Sequence, residues 1–480
     1  MTAPQLIACA PLIVIALAAV VELLLISFHS GERAAAIVAA VGLLLAGASF
    51  AAAYAYVPTT ITALLVVDRY ALFYIGLVLI AGLGTVALAY RYFSSPGELY
   101  VLLLLGTLGA AVLAASVHFA SFFLGLELLS VSLYALIGYR AVERRGIEAG
   151  LKYLVLAGAS AAFLLFGMAL IYAELGTLEF ARMAELVAAG GHARPAIWLV
   201  GVALLVTGVG FKLALVPFHL WTPDVYQGAP APVAAFVATA SKGGVLAVLL
   251  RFLIEVHGAS FPSLVLTISL IAGFSMFVGN LLALLQSNVK RILGYSSIAH
   301  LGYLMVALTT SGELAAAAVG YYLAAYVVTM LAAFGVVAAL SSAEGEAERL
   351  EDYRGLFWHR PWLAAVFTAA LLSLSAIPVT GGFVGKFYIV AAGAGSSRWA
   401  LLVILAVNSA IGLFYYLRIV VAMYSTPVEA PAERRPKIPM ASGVVLAGLI
   451  ACLLWLGLYP TPIVDLLRAP EVVAATASAR

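Results

Sequence analysis

Apolar residues run along this chain in blocks as long as a membrane span, broken by short polar stretches that hold most of the charges. The blocks cover residues 4–27, 34–56, 71–91, 98–116, 119–139, 151–173, 197–217, 231–254, 263–285, 296–311, 314–340, 361–393, 400–423 and 440–459. About 20 apolar residues suffice for a helix to cross hydrocarbon, so the pattern predicts about 14 transmembrane helices. None of the blocks shows the alternating polarity of a barrel strand, and in lipid a helix satisfies its own backbone. The predicted fold is therefore an all-α polytopic membrane protein. The first block has no Lys or Arg before Arg33. It lacks the basic start of a secretory signal and reads as a retained first helix.

Composition narrows the chemistry. Of 480 residues, 65% are hydrophobic and 10% charged, against roughly 25% charged in soluble domains, and the mean hydropathy is +1.12. The predicted spans use so much of the chain that no sizeable soluble domain fits. That excludes an internal Rossmann domain, P-loop or iron–sulfur module, so redox or nucleotide chemistry is expected on partner chains, with no cofactor or metal here. The net charge of +3 is spread over loops and points to no nucleic-acid partner. Cys9 and Cys452 both lie in apolar blocks, and two isolated thiols make neither a disulfide framework nor a cluster site.

The basic residues suggest an orientation. Stretches after odd-numbered blocks hold 14 of them: Arg33, Arg91, Arg140, Arg144, Arg145, Lys152, Lys290, Arg291, Arg349, Arg354, Arg360, Arg434, Arg435 and Lys437. The other side holds 7: Arg69, Arg182, Arg194, Arg251, Arg398, Arg468 and Arg480. By the positive-inside rule both termini are expected on the outer face, the periplasm in a Gram-negative cell.

Only 6 lysines occur, and Lys212, Lys242 and Lys386 fall inside apolar blocks, as does Glu127 in LGLELLSVSLYAL. A charge at the bilayer centre costs about 2.5–3.5 kcal/mol even on the lenient insertion scale. Four facing lipid would cost on the order of 10 kcal/mol, so they must face the bundle interior, pair, or contact water. Two readings follow: structural pairs that fix helix register, or a chain of protonatable sites in which a movable carboxylate toggles a buried amine between holding and releasing a proton. Against about 180 mV a proton needs about 4 kcal/mol, which is roughly three pKa units. Shifts that large are documented for buried lysines.

Two of the lysines stand beside helix breakers. In GVGFKLALVPFHLW, Pro217 cannot donate to the carbonyl of Leu213, and in LSLSAIPVTGGFVGKFY, Pro378, Gly381, Gly382 and Gly385 precede Lys386. Irregular backbone at membrane depth is tolerated where it is buried in protein or lines a watery cavity. Interrupted helices in corresponding positions of two halves point to a transport site, although proline kinks are also common in membrane helices. The breaks correspond if spans 4–8 and 9–13 form two five-helix repeats, inverted because five is odd. The chain then divides into 1–97 (spans 1–3), 98–254 and 263–423 (the repeats, each a proton half-channel) and 440–480 (span 14 and a tail).

Six stretches carry a resemblance. They are VVDRYALFY (66–74), ELLSVSLYAL (127–136), EAGLKYLVLAGASAAFLLFG (148–167), PFHLWTPDVYQGAPAPVAAF (217–236), KRILGYSSIAHLGYLM (290–305) and IPVTGGFVGKFYI (377–389). Together they resemble the antiporter-like membrane subunits of respiratory complex I, over residues of about 60 to 425. One kind of subunit in that family usually has a glutamate where this chain has Lys386, and another carries a C-terminal lateral helix, whereas about twenty residues follow the last block here. Subunits of cation/proton antiporters and of membrane-bound hydrogenases share the fold, but match GKFY and SSIAH less well.

The resemblance implies proton translocation in the inner membrane by a subunit of NADH–quinone oxidoreductase. NADH, FMN, iron–sulfur clusters and quinone would be handled elsewhere in the complex. The implied partners are neighbouring membrane subunits, the peripheral redox arm and the lipid bilayer. Position by position, it implies that Glu127 pairs with Lys212, that Lys242 links two half-channels, that Lys386 stands near the exit, and that Lys152 modulates the Glu127–Lys212 pair. From the residues alone Lys152 is a loop-end lysine with a snorkelling stem. His300, beside Ser296, Ser297 and Tyr303, is either a proton relay, which an ordinary pKa near 6.5 suits, or a hydrogen-bonded interior histidine.

Other features call for no role in transport. His219 and Asp224 are expected to cap or brace the loop after the seventh span, and Glu22 to snorkel outward or meet a neighbouring subunit. EGEAERLEDYRGLFWHR (344–360) is expected to form a short amphipathic surface helix. ERRPK (433–437) suits anionic lipid, and small-residue runs such as AAIVAA and AAAAVG suit tight helix packing.

Overall fold

Hydrocarbon leaves each apolar block the choice of helix, and helix is what forms. The computed structural model describes all residues except 29–30, 94–96, 141–143, 191–194, 311–312, 342–344, 427–438 and 469–480. The main helices are α1 (Ala10–Ser27), α2 (Glu32–Ala48), α3 (Arg69–Ala89), α4 (Gly97–Ala115), α5 (Phe119–Ile137), α6 (Arg144–Leu175) and α7 (Pro195–Lys212). Then come α8 (Ala231–Glu255), α9 (Pro262–Leu284), α10 (Val289–Leu308), α11 (Glu313–Leu340), α12 (Pro361–Leu374), α13 (Gly381–Gly395), α14 (Trp399–Tyr424) and α15 (Met440–Leu458). Among the described residues, 11 helices are long and apolar enough to cross a membrane, and α7 and α12 are shorter apolar helices.

Two helices form the axis of the bundle. About 94% of the most apolar stretch of α8 and of α11 is buried inside the chain, against 33% for α1 and 28% for α15. The outer helices therefore turn their leucines and valines to lipid, and the inner pair is covered by protein. Buried polar groups collect along this axis. Just before Lys242, α8 widens into one π turn, Val237–Ser241, an irregularity frequent at functional sites.

One element was not foreseen and one expectation needs correction. A small antiparallel hairpin, β1 (Thr59–Thr62) and β2 (Leu65–Val67), joins α2 to α3; its polar threonines lie between apolar blocks and gave no hydropathy signal. The stretch 344–360 is not one surface helix: within its described part, residues from 345 run extended, Glu346 turns inward, and only short turns at Leu350–Tyr353 and Leu356–His359 follow. Block 361–393 is interrupted between α12 and α13. The polybasic 433–437 lies outside the described residues.

The two breaks share one geometry. Helix α7 ends at Lys212: Ala214 takes a left-handed conformation (φ 59°), its N–H donates to the Phe211 carbonyl at 2.9 Å, and the Leu215 N–H donates to Gly210 at 2.8 Å. Helix α12 ends at Leu374 in the same way: Ala376 has φ 56°, its N–H donates to Ser373 at 2.9 Å, and Ile377 donates to Leu372 at 3.0 Å. Both are Schellman ends. Alanine in place of glycine there costs roughly 1–2 kcal/mol, which the surrounding packing holds. Pro217 and Pro378 follow these caps and do not kink a continuous helix. Consequently Lys212 is the last residue before its break, whereas Lys386 lies on α13, beyond its own.

The second break is clamped by close approach. A methyl added at Gly382 would stand 1.9 Å from the carbonyl oxygen of Ser373, and one at Gly457 would stand 2.0 Å from that of Val379. The Gly382 N–H also donates to Ser373 Oγ at 3.2 Å. Gly382→Ala is expected to force α12 and α13 apart and to reduce assembled protein in the membrane severely, read by native gel, while Gly395→Ala, which meets open space, leaves the level unchanged.

Candidate functional site

Each intramembrane charge predicted from the sequence is buried or partly buried in the bundle, but not every predicted pairing forms. Lys212 is 3% exposed, and its Nζ donates to Ser130 Oγ at 2.6 Å. The rings of Tyr153 and Phe211 lie 5.7 and 5.9 Å from the ammonium. Glu127 stands one turn before Ser130 on α5, and its Oε1 is buried without a hydrogen-bond partner. The structure thus brings Glu127 and Lys212 into one neighbourhood without closing the ion pair.

Lys242, directly after the π turn of α8, is fully buried and donates to Ser297 Oγ of α10. That hydroxyl also meets Tyr326 OH at 2.6 Å and Tyr226 OH at 3.2 Å, and the Tyr226 ring lies 5.5 Å from the ammonium. One turn along α10, His300 meets Tyr322 OH through Nδ1 at 2.6 Å and Tyr416 OH through Nε2 at 3.1 Å. Tyr416 OH in turn meets Ser296 Oγ. The rings of Tyr326 and Tyr303 flank the imidazole at 5.6 and 5.5 Å between centroids.

Lys386 completes the row. Its Nζ donates to Ser409 Oγ at 3.1 Å and lies 4.3 Å from the centre of the Tyr303 ring. The Tyr303 hydroxyl accepts from Asn280 Nδ2 at 3.1 Å, and Asn280 binds Tyr415 and Asn408. Hydrogen bonds and ring contacts therefore link Lys242 through the His300 neighbourhood to Lys386. Among the described residues, no side-chain hydrogen bond joins Lys212 to Lys242.

Lys152 lies apart, at the polar end of α6, bonded to Glu148 at 2.7 Å and Asp224 at 2.9 Å. Asp224 also accepts from Arg291 at 2.7 Å. Burial pushes the Asp224 carboxyl up, but the hydrogen bonds and charges of Arg291 and Lys152 outweigh it and hold it below its ordinary value. Asp224 stands in a short helix, Trp221–Gly228, where a loop was expected, and this knot ties that helix to α6 and α10.

Sequence reading missed two buried ion pairs. Arg251 on α8 grips Asp68 at the start of α3 with two hydrogen bonds, 2.8 and 2.9 Å, and both side chains are under 8% exposed. Lys290 and Glu346 are paired at the opening of α10, also buried. Both cations are held inside the protein by their partners, so neither bears on orientation. The signal for Arg251 was present, since it stands inside block 231–254. Glu346 gave none: it sits in an acidic, loop-like stretch. Glu22, expected to snorkel or meet a neighbour, is instead fully buried in α1, its two oxygens unpartnered.

A bundle of apolar helices with lysines, a carboxylate and a histidine in file along its interior defines a polytopic membrane protein of the ion-translocating class. The chain belongs to the family described as NADH:quinone oxidoreductase/Mrp antiporter membrane subunits, which matches residues 116–412. It is 50% identical to NADH-quinone oxidoreductase subunit N of Nitrosospira multiformis, over 97% of this chain and 96% of that one, and 46% identical to the protein of that name in Ectopseudomonas mendocina, over 98% of each. Among solved structures, a chain of respiratory complex I from Thermus thermophilus superposes with a TM-score of 0.82 at 36% identity, over 95% of this chain and 98% of that one. A chain of the Mrp complex from Dietzia, 19% identical, shares the fold with a TM-score of 0.86 and 99% coverage of both.

Proposed function

We propose that this chain is the subunit N member of the complex I membrane arm, a proton-translocating subunit of NADH–quinone oxidoreductase. NADH oxidation and quinone reduction occur on other subunits, which hold FMN and the iron–sulfur clusters. This chain supplies the acid–base row. Its neighbours are further antiporter-like and small membrane subunits, and both termini face the outer side of the inner membrane. The two Schellman breaks with left-handed alanines, at 214 and 376, support reading spans 4–8 and 9–13 as inverted repeats.

The observation that carries the reading is the polar row from Lys242 through Ser297, His300 and Tyr303 to Lys386 at the buried axis, together with a separate buried group of Lys212, Ser130 and Glu127. Each stroke is a proton transfer among these groups. A change in the separation of Glu127 and Lys212 alters how firmly the Lys212 amine holds its proton, and a released proton moves toward Lys242 and then Lys386. Glu127→Gln removes the movable charge while keeping shape. In the intact complex, coupled turnover and protons pumped per NADH are expected to fall about tenfold. Wild-type pumping in that variant, with the complex assembled, refutes the assignment.

A further inference from the structure

The partner that Lys212 has chosen is not an acid. Its ammonium rests on the Ser130 hydroxyl, while Oε1 of Glu127, one turn earlier on the serine's helix, is buried without a hydrogen-bond partner. Residues three apart on a helix share a face and differ by about 4.5 Å along the axis, so Ser130 and Glu127 offer two acceptors within the sweep of one long side chain. The Ser130 hydroxyl has a fixed polarity: its own hydrogen goes to the Leu126 carbonyl at 2.6 Å, leaving its oxygen lone pairs toward Lys212. The rings of Tyr153 and Phe211 also face the ammonium, and Tyr134, one turn beyond Ser130, packs on the Tyr153 ring at 5.7 Å and interacts with both Ser130 and Glu127; Glu127 is the carboxylate of this group.

We propose that Ser130 is the second dock of a two-position switch. Lys212 alternates between Glu127, where the ion pair locks its proton, and Ser130, where a neutral acceptor holds the ammonium in place while leaving the proton free to depart. Ser130 is a positioning residue in this scheme and takes no proton itself. Without it, the separated state has no seat for the ammonium in an apolar surround, and the closed pair with Glu127 wins. The proton moves from Lys212 Nζ to the next acceptor in the row, and Ser130 Oγ keeps its hydrogen on Leu126 throughout.

The inference rests on the proton-translocating reading above and is tested in the intact complex in vesicles. Ser130→Ala is expected to lower coupled NADH:quinone turnover about tenfold, since it removes a hydrogen bond to a charged group. It is also expected to displace the pH optimum upward by about one unit, because the closed pair must be overcome before the proton leaves. Ser130→Thr keeps the hydroxyl and is expected to restore most of the rate and the wild-type optimum. A wild-type rate and optimum in Ser130→Ala overturns the switch, as does an equal loss in the alanine and threonine variants with the complex assembled. If Glu127→Gln impairs pumping and Ser130→Ala does not, only the Ser130 inference fails. If neither variant impairs pumping, the translocation reading fails with it.

Discussion

Lys242→Met is expected to stop coupled turnover, lowering NADH-driven proton pumping by on the order of 100-fold while the complex still assembles. Methionine has nearly the length and bulk of lysine and suits an apolar site, so α8 loses a charge without gaining a cavity. Ser297 remains bonded to Tyr326 and Tyr226, so no buried polar atom is stranded by the change. What disappears is the amine between the Glu127–Lys212 neighbourhood and the His300–Lys386 half of the row. Serine and tyrosine hydroxyls can conduct a proton between groups, but none is basic enough to hold one near neutral pH. A structural role for Lys242 predicts the opposite pattern, with turnover preserved or assembly lost. Measured proton uptake per NADH in reconstituted vesicles, with assembly checked by native gel, separates the two. Retained pumping in assembled complex would show that the file of amines is not the path.

Much of this site was legible in the sequence because lipid makes charge expensive. Four charges inside apolar blocks had to be interior, and the structure buries Lys212, Lys242 and Lys386 within it. The helix ends at 212 and 374 were legible too, through proline and glycine. What could not be read were side-chain partners across helices. The tyrosines around His300 come from α10, α11 and α14, over more than 100 residues of chain, and aromatic residues in apolar blocks look like ordinary span composition. Ser130 was equally hidden, because a serine on a span most often bonds its own helix, as this one also does. That Lys212 rests on Ser130 and not on Glu127 is likewise a side-chain choice across helices that no spacing rule encodes.

Breaking the Lys290–Glu346 pair is expected to have the largest effect on stability. The two side chains are 1% and 6% exposed, and Glu346 also accepts from Tyr92 OH and from the Ala231 N–H at 2.9 Å, at the first turn of α8. Lys290 donates as well to the Ala229 carbonyl at 2.7 Å. The loop after α11 thus closes over the openings of α8 and α10 through one carboxylate. Glu346→Gln strands the buried ammonium and is expected to destabilise the subunit by about 3–5 kcal/mol, seen as loss of assembled complex and a lower melting temperature in detergent. The pH dependence has a defined sign. Burial pushes the Glu346 carboxyl up, yet Lys290, Tyr92 and the Ala231 N–H outweigh it and hold it below its ordinary 4.5. Its contribution is therefore complete above about pH 4.5 and is lost as pH falls through the lower value in the folded protein. Wild type is expected to lose this increment under acid, and Glu346→Gln to lack it at every pH. Replacing both partners with apolar residues of similar size, Lys290→Met with Glu346→Leu, is expected to recover much of the loss, because neither charge is then left buried alone. Equal melting temperatures for wild type and Glu346→Gln at neutral pH would show that the pair does not hold the loop in place.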